Sequence, residues 1–292
     1  MNKFFRYFVL RLLIFTPKCW PDRFYLRNLY HIENGKNLDL DNPTTFNDKL
    51  NWMKLHYHNP LFQTLVDKYK VKKVVADKIG EEYVVKNYGV YNSVDEINLD
   101  ALPEQFVLKA THDSGGVIIC KSKATFDFEA AKKRLKRQLS IDYYWRTREW
   151  VYKEPDAKII ADELLDDHSG HELTDYKFWC FNGEPKVMYV TNKGKHIKEN
   201  FYDMDFNILD IDHGFPRVSP EFEKPAQFEL MKELAAKLSQ GIPFVRVDFF
   251  NLNGKVYFGE FTFYDWAGLK AFVSDEWDRK LGSWITLPDP ME

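Results

Sequence analysis

The chain has 292 residues, 45% of them hydrophobic and 16% aromatic, enough for a sizeable core and for one large or two smaller domains. Its 41 Lys and Arg against 44 Asp and Glu give a formal charge of −3. That balance excludes a general nucleic-acid binder, and the aromatic content excludes an intrinsically disordered chain. Cys19, Cys120 and Cys180 stand far apart, with no CxxC or Cys/His spacing, so reduced thiols in the cytoplasm are expected.

Residues 1–20 form a basic, aromatic leader. Arg6 and Arg11 interrupt its apolar run, so neither a bilayer span nor a signal peptide is expected. On a helix, Phe4, Phe5, Phe8, Val9, Leu12 and Leu13 share an apolar face, with Lys3, Arg6 and Arg11 elsewhere and Lys18 following. Two readings stay open: peripheral contact with the inner face of the membrane through residues 1–18, or docking on the protein's own core. Residues 21–101 read as a helical region. Thr44 or Thr45 caps a helix that carries Leu50, Met53 and Leu55, and one helix is expected from about Pro60 to Lys78, stopped by Gly80.

From about Leu102 the pattern turns to strands. Phe106–Lys109 and Val117–Cys120 flank Ser114-Gly115-Gly116; Phe128–Leu139 is an amphipathic helix; Ile159–Ala161 is a strand. Tyr176–Phe181 with Val187–Val190, and Phe244–Phe250 with Val256–Phe261, read as hairpins around Asn182-Gly183 and Asn253-Gly254. Phe228–Leu238 is a second amphipathic helix. Strands and helices are mixed rather than strictly alternating, so an α+β class is expected.

Three segments bear chemistry. Lys109 ends a strand before a glycine loop, where backbone N–H groups and a cation can meet a polyanion; neither GxxxxGK[ST] nor GxGxxG is present. Arg246 and Asp248 share one face of a strand, and Glu260 and Thr262 one face of its partner. Paired acids on one face need a cation: Mg²⁺, or Arg246 in a surface salt-bridge ladder. Asp162-Glu163-Leu164-Leu165 follows an apolar strand, where backbone groups and leucines can hold an adenine, or simply ends the strand.

The order of these segments resembles the ATP-grasp superfamily, and Asn42 to about Gly282 resembles its TupA-like (teichuronopeptide-biosynthesis) family. The resemblance is carried by Asn42–Leu50, Val66–Tyr69, Phe106–Cys120, Arg148–Trp150, Asp175–Phe178, Phe181–Pro185, Phe244–Asp248 and Phe258–Phe263. It implies two α+β lobes gripping ATP, over 102–165 with the glycine loop and 166–292 with the metal hairpin, behind the helical N-terminal region. It implies ATP contacts from Lys109, Ser114, Gly115, Gly116, Asp162, Glu163, Leu165 and Lys177. Asp248 and Glu260 would hold Mg²⁺, with Thr262 where the family usually has Asn. Arg246, with Lys109, would act in catalysis. His112, Asp113, Arg148 and Trp150 are candidates for the acceptor, each equally open to a structural role.

The implied activity is ATP-dependent carboxylate–amine ligation through an acyl-phosphate, joining an amino acid or amine to a bacterial surface-polysaccharide precursor such as a uronic acid. The alternatives are a sugar phosphotransferase, a catalytically silent scaffold that binds nucleotide or glycan, or a glycosyltransferase. The last is suggested by Asp203-Met204-Asp205 and Asp210-Ile211-Asp212.

Overall fold

The computed structural model describes residues 9, 11–112, 116–167, 173–192, 197–219 and 221–291. The expected α+β mixture is what the chain forms. After the leader come helices α1 (Asp22–Asn34), α2 (Phe46–His56), α3 (Pro60–Val66) and α4 (Lys70–Ile79). A four-stranded sheet then combines β1 (Asn87–Tyr91), β2 (Phe106–Ala110), β3 (Val117–Cys120) and β4 (Ile159–Asp162), in the order β1-β4-β2-β3. Helices α5 (Phe128–Leu139) and α6 (Tyr144–Thr147) lie between β3 and β4 in the chain.

A six-stranded sheet follows, ordered β10-β9-β5-β6-β7-β8. Its strands are β5 (Asp175–Phe181), β6 (Glu184–Asn192), β7 (Lys198–Tyr202), β8 (Ile208–Leu209), β9 (Phe244–Leu252) and β10 (Lys255–Thr262). Helix α7 (Phe228–Ser239) precedes β9 and α8 (Asp275–Trp284) closes the fold. All neighbouring strands in both sheets run antiparallel.

Local chemistry explains most of these boundaries. Thr45 caps α2 in a capping box, accepting from the Asp48 N–H while Asp48 accepts from the Thr45 N–H. The helix expected over Pro60–Lys78 is two helices instead. At the break, Asp67 Oδ1 accepts from the N–H groups of Tyr69 (2.9 Å) and Lys70 (2.8 Å) and starts α4 afresh. Gly80, at φ 121°, ends α4. Both Asn-Gly turns have positive φ at both positions, as tight hairpins require.

Helix α5 covers the small sheet, packing Ala131 and Leu135 among Phe106, Leu108, Ile118, Ile159 and Ala161. The large sheet is covered on both faces. Phe178 meets Phe228 of α7 on one side (5.9 Å between ring centroids); Trp179 meets Phe46 of α2 on the other (5.4 Å). Because side chains alternate along a strand, Lys177, Arg246 and Asp248 project from the Trp179 side.

Helical residues 11–15 of the leader lie in the described part. Leu13 is buried against a cluster with Tyr25, Leu26 and Leu29, whereas Leu12, Ile14 and Phe15 are exposed. Among the described residues no helix is long and apolar enough to cross a membrane.

Gly282 lets α8 cross the start of α2: a Cβ there would sit 2.3 Å from Thr44 O. Gly282→Ala is expected to cost about 1–3 kcal/mol by overpacking, read as a fall in thermal midpoint; an unchanged midpoint would contradict this packing.

Candidate active site

The centre of the site is Arg246 of β9, 9% exposed. Its Nε and Nη2 donate to the two oxygens of Asp248, both at 2.7 Å, in a fork that fits a carboxylate. Nη2 also donates to Glu260 Oε1 (2.8 Å), and Nη1 to Asp265 Oδ1 (2.6 Å) and the Tyr189 hydroxyl (3.2 Å). Tyr189 in turn donates to Asp265 Oδ1 (2.9 Å). Thr262, the cross-strand partner of Arg246, donates to Glu260 Oε1 (3.3 Å). Lys177 stands opposite Asp248 across β5–β9, with Nζ 2.7 Å from Asp175 and 3.6 Å from Asp248.

Two devices bring the acids together. The β9–β10 register shifts between Phe258 and Phe261, which places Glu260 in a bulge. Gly259 permits the close approach, since a Cβ there would stand 3.1 Å from Asp248 O. The salt-bridge arrangement weighed from the sequence is present, but it is not a surface ladder. Arg246 and Asp248 are buried and only Glu260, with a half-exposed side chain, faces outward.

Burial raises the Asp248 pKa despite the nearby Arg246 and Lys177. Desolvation also pushes on Glu260, but the charges of Arg246, Lys68 and Lys177 outweigh it and hold that carboxyl below its ordinary value. Four carboxylates (Asp175, Asp248, Glu260 and Asp265) thus surround Arg246 and Lys177. Such an excess of buried negative charge suits a divalent cation. Among the described residues no cluster of three or more His, Cys, Asp or Glu is poised to hold a metal. The donor set fits Mg²⁺ held by two carboxylates and completed by phosphate oxygens and water.

The second group belongs to the small sheet. Lys109 of β2 is a quarter exposed, with Nζ 3.5 Å from Asp162 Oδ2. Asp162, buried at the end of β4, also holds Lys72 Nζ of α4 (3.2 Å) and accepts from Asn87 Nδ2 (2.9 Å). Glu163 spends its N–H on Lys86 O (2.9 Å); Leu165 lies in half-buried chain beyond it. Lys68 connects the two groups: its N–H donates to Thr111 O (3.0 Å), two residues past Lys109, and its ammonium acts on Glu260.

The remaining sequence candidates separate. Asp113, Ser114 and Gly115 lie outside the described residues; Gly116 directly precedes β3. His112 is buried, with Nε2 3.3 Å from Ile141 O. Trp150 stacks on His58 (5.1 Å). Arg148 is engaged inside the chain. Its side chain is fully buried, with Nε 2.6 Å from Asp22, donors on Trp145 O and Pro17 O, and the guanidinium over the Tyr25 ring. It ties α1 and the end of the leader to the body.

Sequence reasoning assigned no role to Lys72, Lys68, Asn87, Asp175, Tyr189 or Asp265. Lys68 and Asp175 lay within runs that carry the resemblance. Lys72 stands three residues before buried Val75 on α4, a helical hint that its side chain turns inward.

A strand lysine of one sheet and an Arg-bridged acid pair on a hairpin of the other are thus the two charged groups of the candidate site. The sequence profile of the family described as TupA-like ATPgrasp matches residues 48–286. The chain therefore belongs to that family and has the ATP-grasp fold. Similar solved structures include the ATP-grasp ligase PsnB complexed with minimal precursor (11% identity, TM-score 0.41, 74% of this chain and 59% of that one). Others are a D-alanine–D-alanine ligase from Bacillus anthracis complexed with ATP (14%, 0.40, 68% and 53%) and the D-cycloserine synthetase DcsG (16%, 0.40, 70% and 64%). The chain spans less than two thirds of the length of each of these. No curated protein matches it.

Arg246→Met would leave three carboxylates without their bridge. It is expected to destabilise the fold by about 3–5 kcal/mol, as removal of one partner from a buried ion pair does. A urea midpoint equal to that of the parent chain would contradict the bridging role.

Proposed function

We propose that the chain is an ATP-dependent carboxylate–amine ligase that joins an amino acid or amine to a surface-polysaccharide precursor, such as one bearing a uronic acid. The observation that carries the reading is the buried Arg246–Asp248–Glu260 bridge beside Lys177. It concentrates acids and cations where a magnesium–triphosphate would be handled. Asp248 and Glu260 would hold Mg²⁺, with Thr262 beside Glu260; the ion's part is to neutralise phosphate charge. Lys109 grips the phosphates from the other sheet, with Lys72 beside it on Asp162. Lys177 adds a cation from β5. Asp162, Glu163 and Leu165 border the adenine side.

A carboxylate is a poor electrophile. Phosphorylation by ATP gives an acyl-phosphate and ADP; the amine then attacks the acyl carbon and phosphate leaves. Both transition states gather negative charge on oxygen, which the preorganised Arg246 guanidinium and the lysines stabilise. The exposed Leu12, Ile14 and Phe15, together with the basic residues of the leader, would hold the protein at the inner face of the membrane, near a lipid-linked acceptor. The glycosyltransferase alternative finds little support. Asp203 Oδ1 accepts the N–H groups of Asp205 and Asn207 in a turn between β7 and β8, and Asp210 pairs with Arg217.

Lys109→Ala and Asp248→Ala are expected to lower ATP turnover by about 10²–10³ or more, with circular dichroism unchanged. Full activity in Asp248→Ala would refute the metal assignment. In thermal-shift assays ATP–Mg²⁺, not a UDP-sugar, should stabilise the chain; the reverse would favour the glycosyltransferase. ADP release screened over amino acids with a uronic-acid acceptor, followed by product mass, tests amide formation through loss of water.

The raised Asp248 pKa adds a pH test. Metal binding needs the carboxylate ionised. As pH falls, calorimetric affinity for ATP–Mg²⁺ should therefore weaken at values above those at which an ordinary aspartate protonates. Constant affinity through that range would contradict the assignment.

A further inference from the structure

Shortly after β10 the backbone turns through a run of left-handed residues. Trp266 (φ 47°), Ala267 (φ 54°) and Gly268 (φ 58°) take left-handed conformations in succession. Such geometry is unfavourable for residues other than glycine and persists only where its surroundings over-determine it. At Gly268 a side chain is also excluded by space, since a Cβ would stand 3.0 Å from Asn51 Nδ2 and 3.1 Å from Leu50 Cβ.

The surroundings that fix this turn come from α2. Lys54, 2% exposed, donates from Nζ to Ala267 O, to Thr147 O (2.9 Å) and to Asn51 Oδ1 (3.1 Å). Asn51 Nδ2 donates to Gly268 O (2.6 Å). The first residue of the turn is Asp265, 3% exposed, which receives Arg246 Nη1 and the Tyr189 hydroxyl. A buried ammonium on one helix thus grips the far end of a strained turn whose near end grips the central guanidinium.

The charged and titratable groups around Lys54 are Glu33 of α1, Glu149 and Arg148 beyond α6, and the Tyr264 ring at 5.7 Å. Burial pulls the Lys54 pKa down to about 8; Glu149 and Glu33 resist, and Arg148 assists. The ammonium is therefore charged below about pH 8 and loses its proton above it. A neutral amine still donates hydrogen bonds, but without the charge assistance that makes them strong.

We propose that Lys54 is a positioning residue for the candidate active site: by holding the Ala267 carbonyl it fixes the left-handed turn that keeps Asp265 on Arg246. Its effect on turnover rests on the ATP-dependent reading above; its effect on the turn does not.

The test compares the full-length wild type with Lys54→Met and Lys54→Arg, the second keeping a charge at all accessible pH. The first readout is amide hydrogen exchange in peptides covering residues 263–269. Lys54→Met should exchange there at least about tenfold faster than wild type, with Lys54→Arg close to wild type. Relative to Lys54→Arg at each pH, the wild type should lose protection above about pH 8. The second readout is ADP release. Lys54→Met should lower kcat about tenfold or more, with KM for ATP changed less than about threefold, and Lys54→Arg should restore it.

Equal protection of 263–269 in all three proteins would overturn the inference. If Lys54→Met does not fold, Lys54→Arg against the wild-type pH series decides in the same way. Altered exchange in a wild type that releases no ADP would sink the ligase reading and leave the role of Lys54 standing.

Discussion

One guanidinium, removed from water and surrounded by carboxylates, is the constraint around which this fold is arranged. Arg246 satisfies Asp248, Glu260 and Asp265 at once, with Tyr189 completing the set. A planar fork of fixed donors is what allows one side chain to do this; a lysine offers a point charge without the geometry. Burying such a network contributes little to stability and is often costly. Its cost to folding is therefore better understood through chemistry than through stability.

The helices that precede the sheets serve that arrangement. Helix α2 places Phe46, Leu50 and Met53 in the main core, while Asn51 and Lys54 reach the turn after β10. Asn47 of α2 donates to Asp278 of α8, so the two helices lock together. The break between α3 and α4 brings Lys68 between the sheets and aligns Lys72 with Asp162. Had the helix run unbroken from Pro60, those lysines would not have been delivered to both groups.

Much of this was legible in the residues. Two Asn-Gly pairs between apolar runs specify hairpins with little ambiguity, and those hairpins carry Lys177, Arg246, Asp248 and Glu260. Lys109 at the end of an apolar strand was equally plain. The features that escaped depend on tertiary contact. Asp67 breaks a helix through a side-chain cap that periodicity alone cannot register. Asp265 follows two aromatics, with no spacing that ties it to Arg246. The left-handed turn is occupied by Trp266 and Ala267, where only Gly268 gives any hint. Arg148 lay in a run that carries the family resemblance, yet its donors are engaged with Asp22, Pro17 and Trp145. Of the leader's described residues, Leu13 is docked on the protein's own core while Leu12, Ile14 and Phe15 are exposed.

The most direct trial of the whole account is a crystal structure of the full chain with Mg²⁺ and a non-hydrolysable ATP analogue. The metal should lie between the carboxylates of Asp248 and Glu260, and the triphosphate should extend from it to the Lys109 ammonium. A nucleotide bound elsewhere, or a metal that leaves both acids untouched, would contradict it.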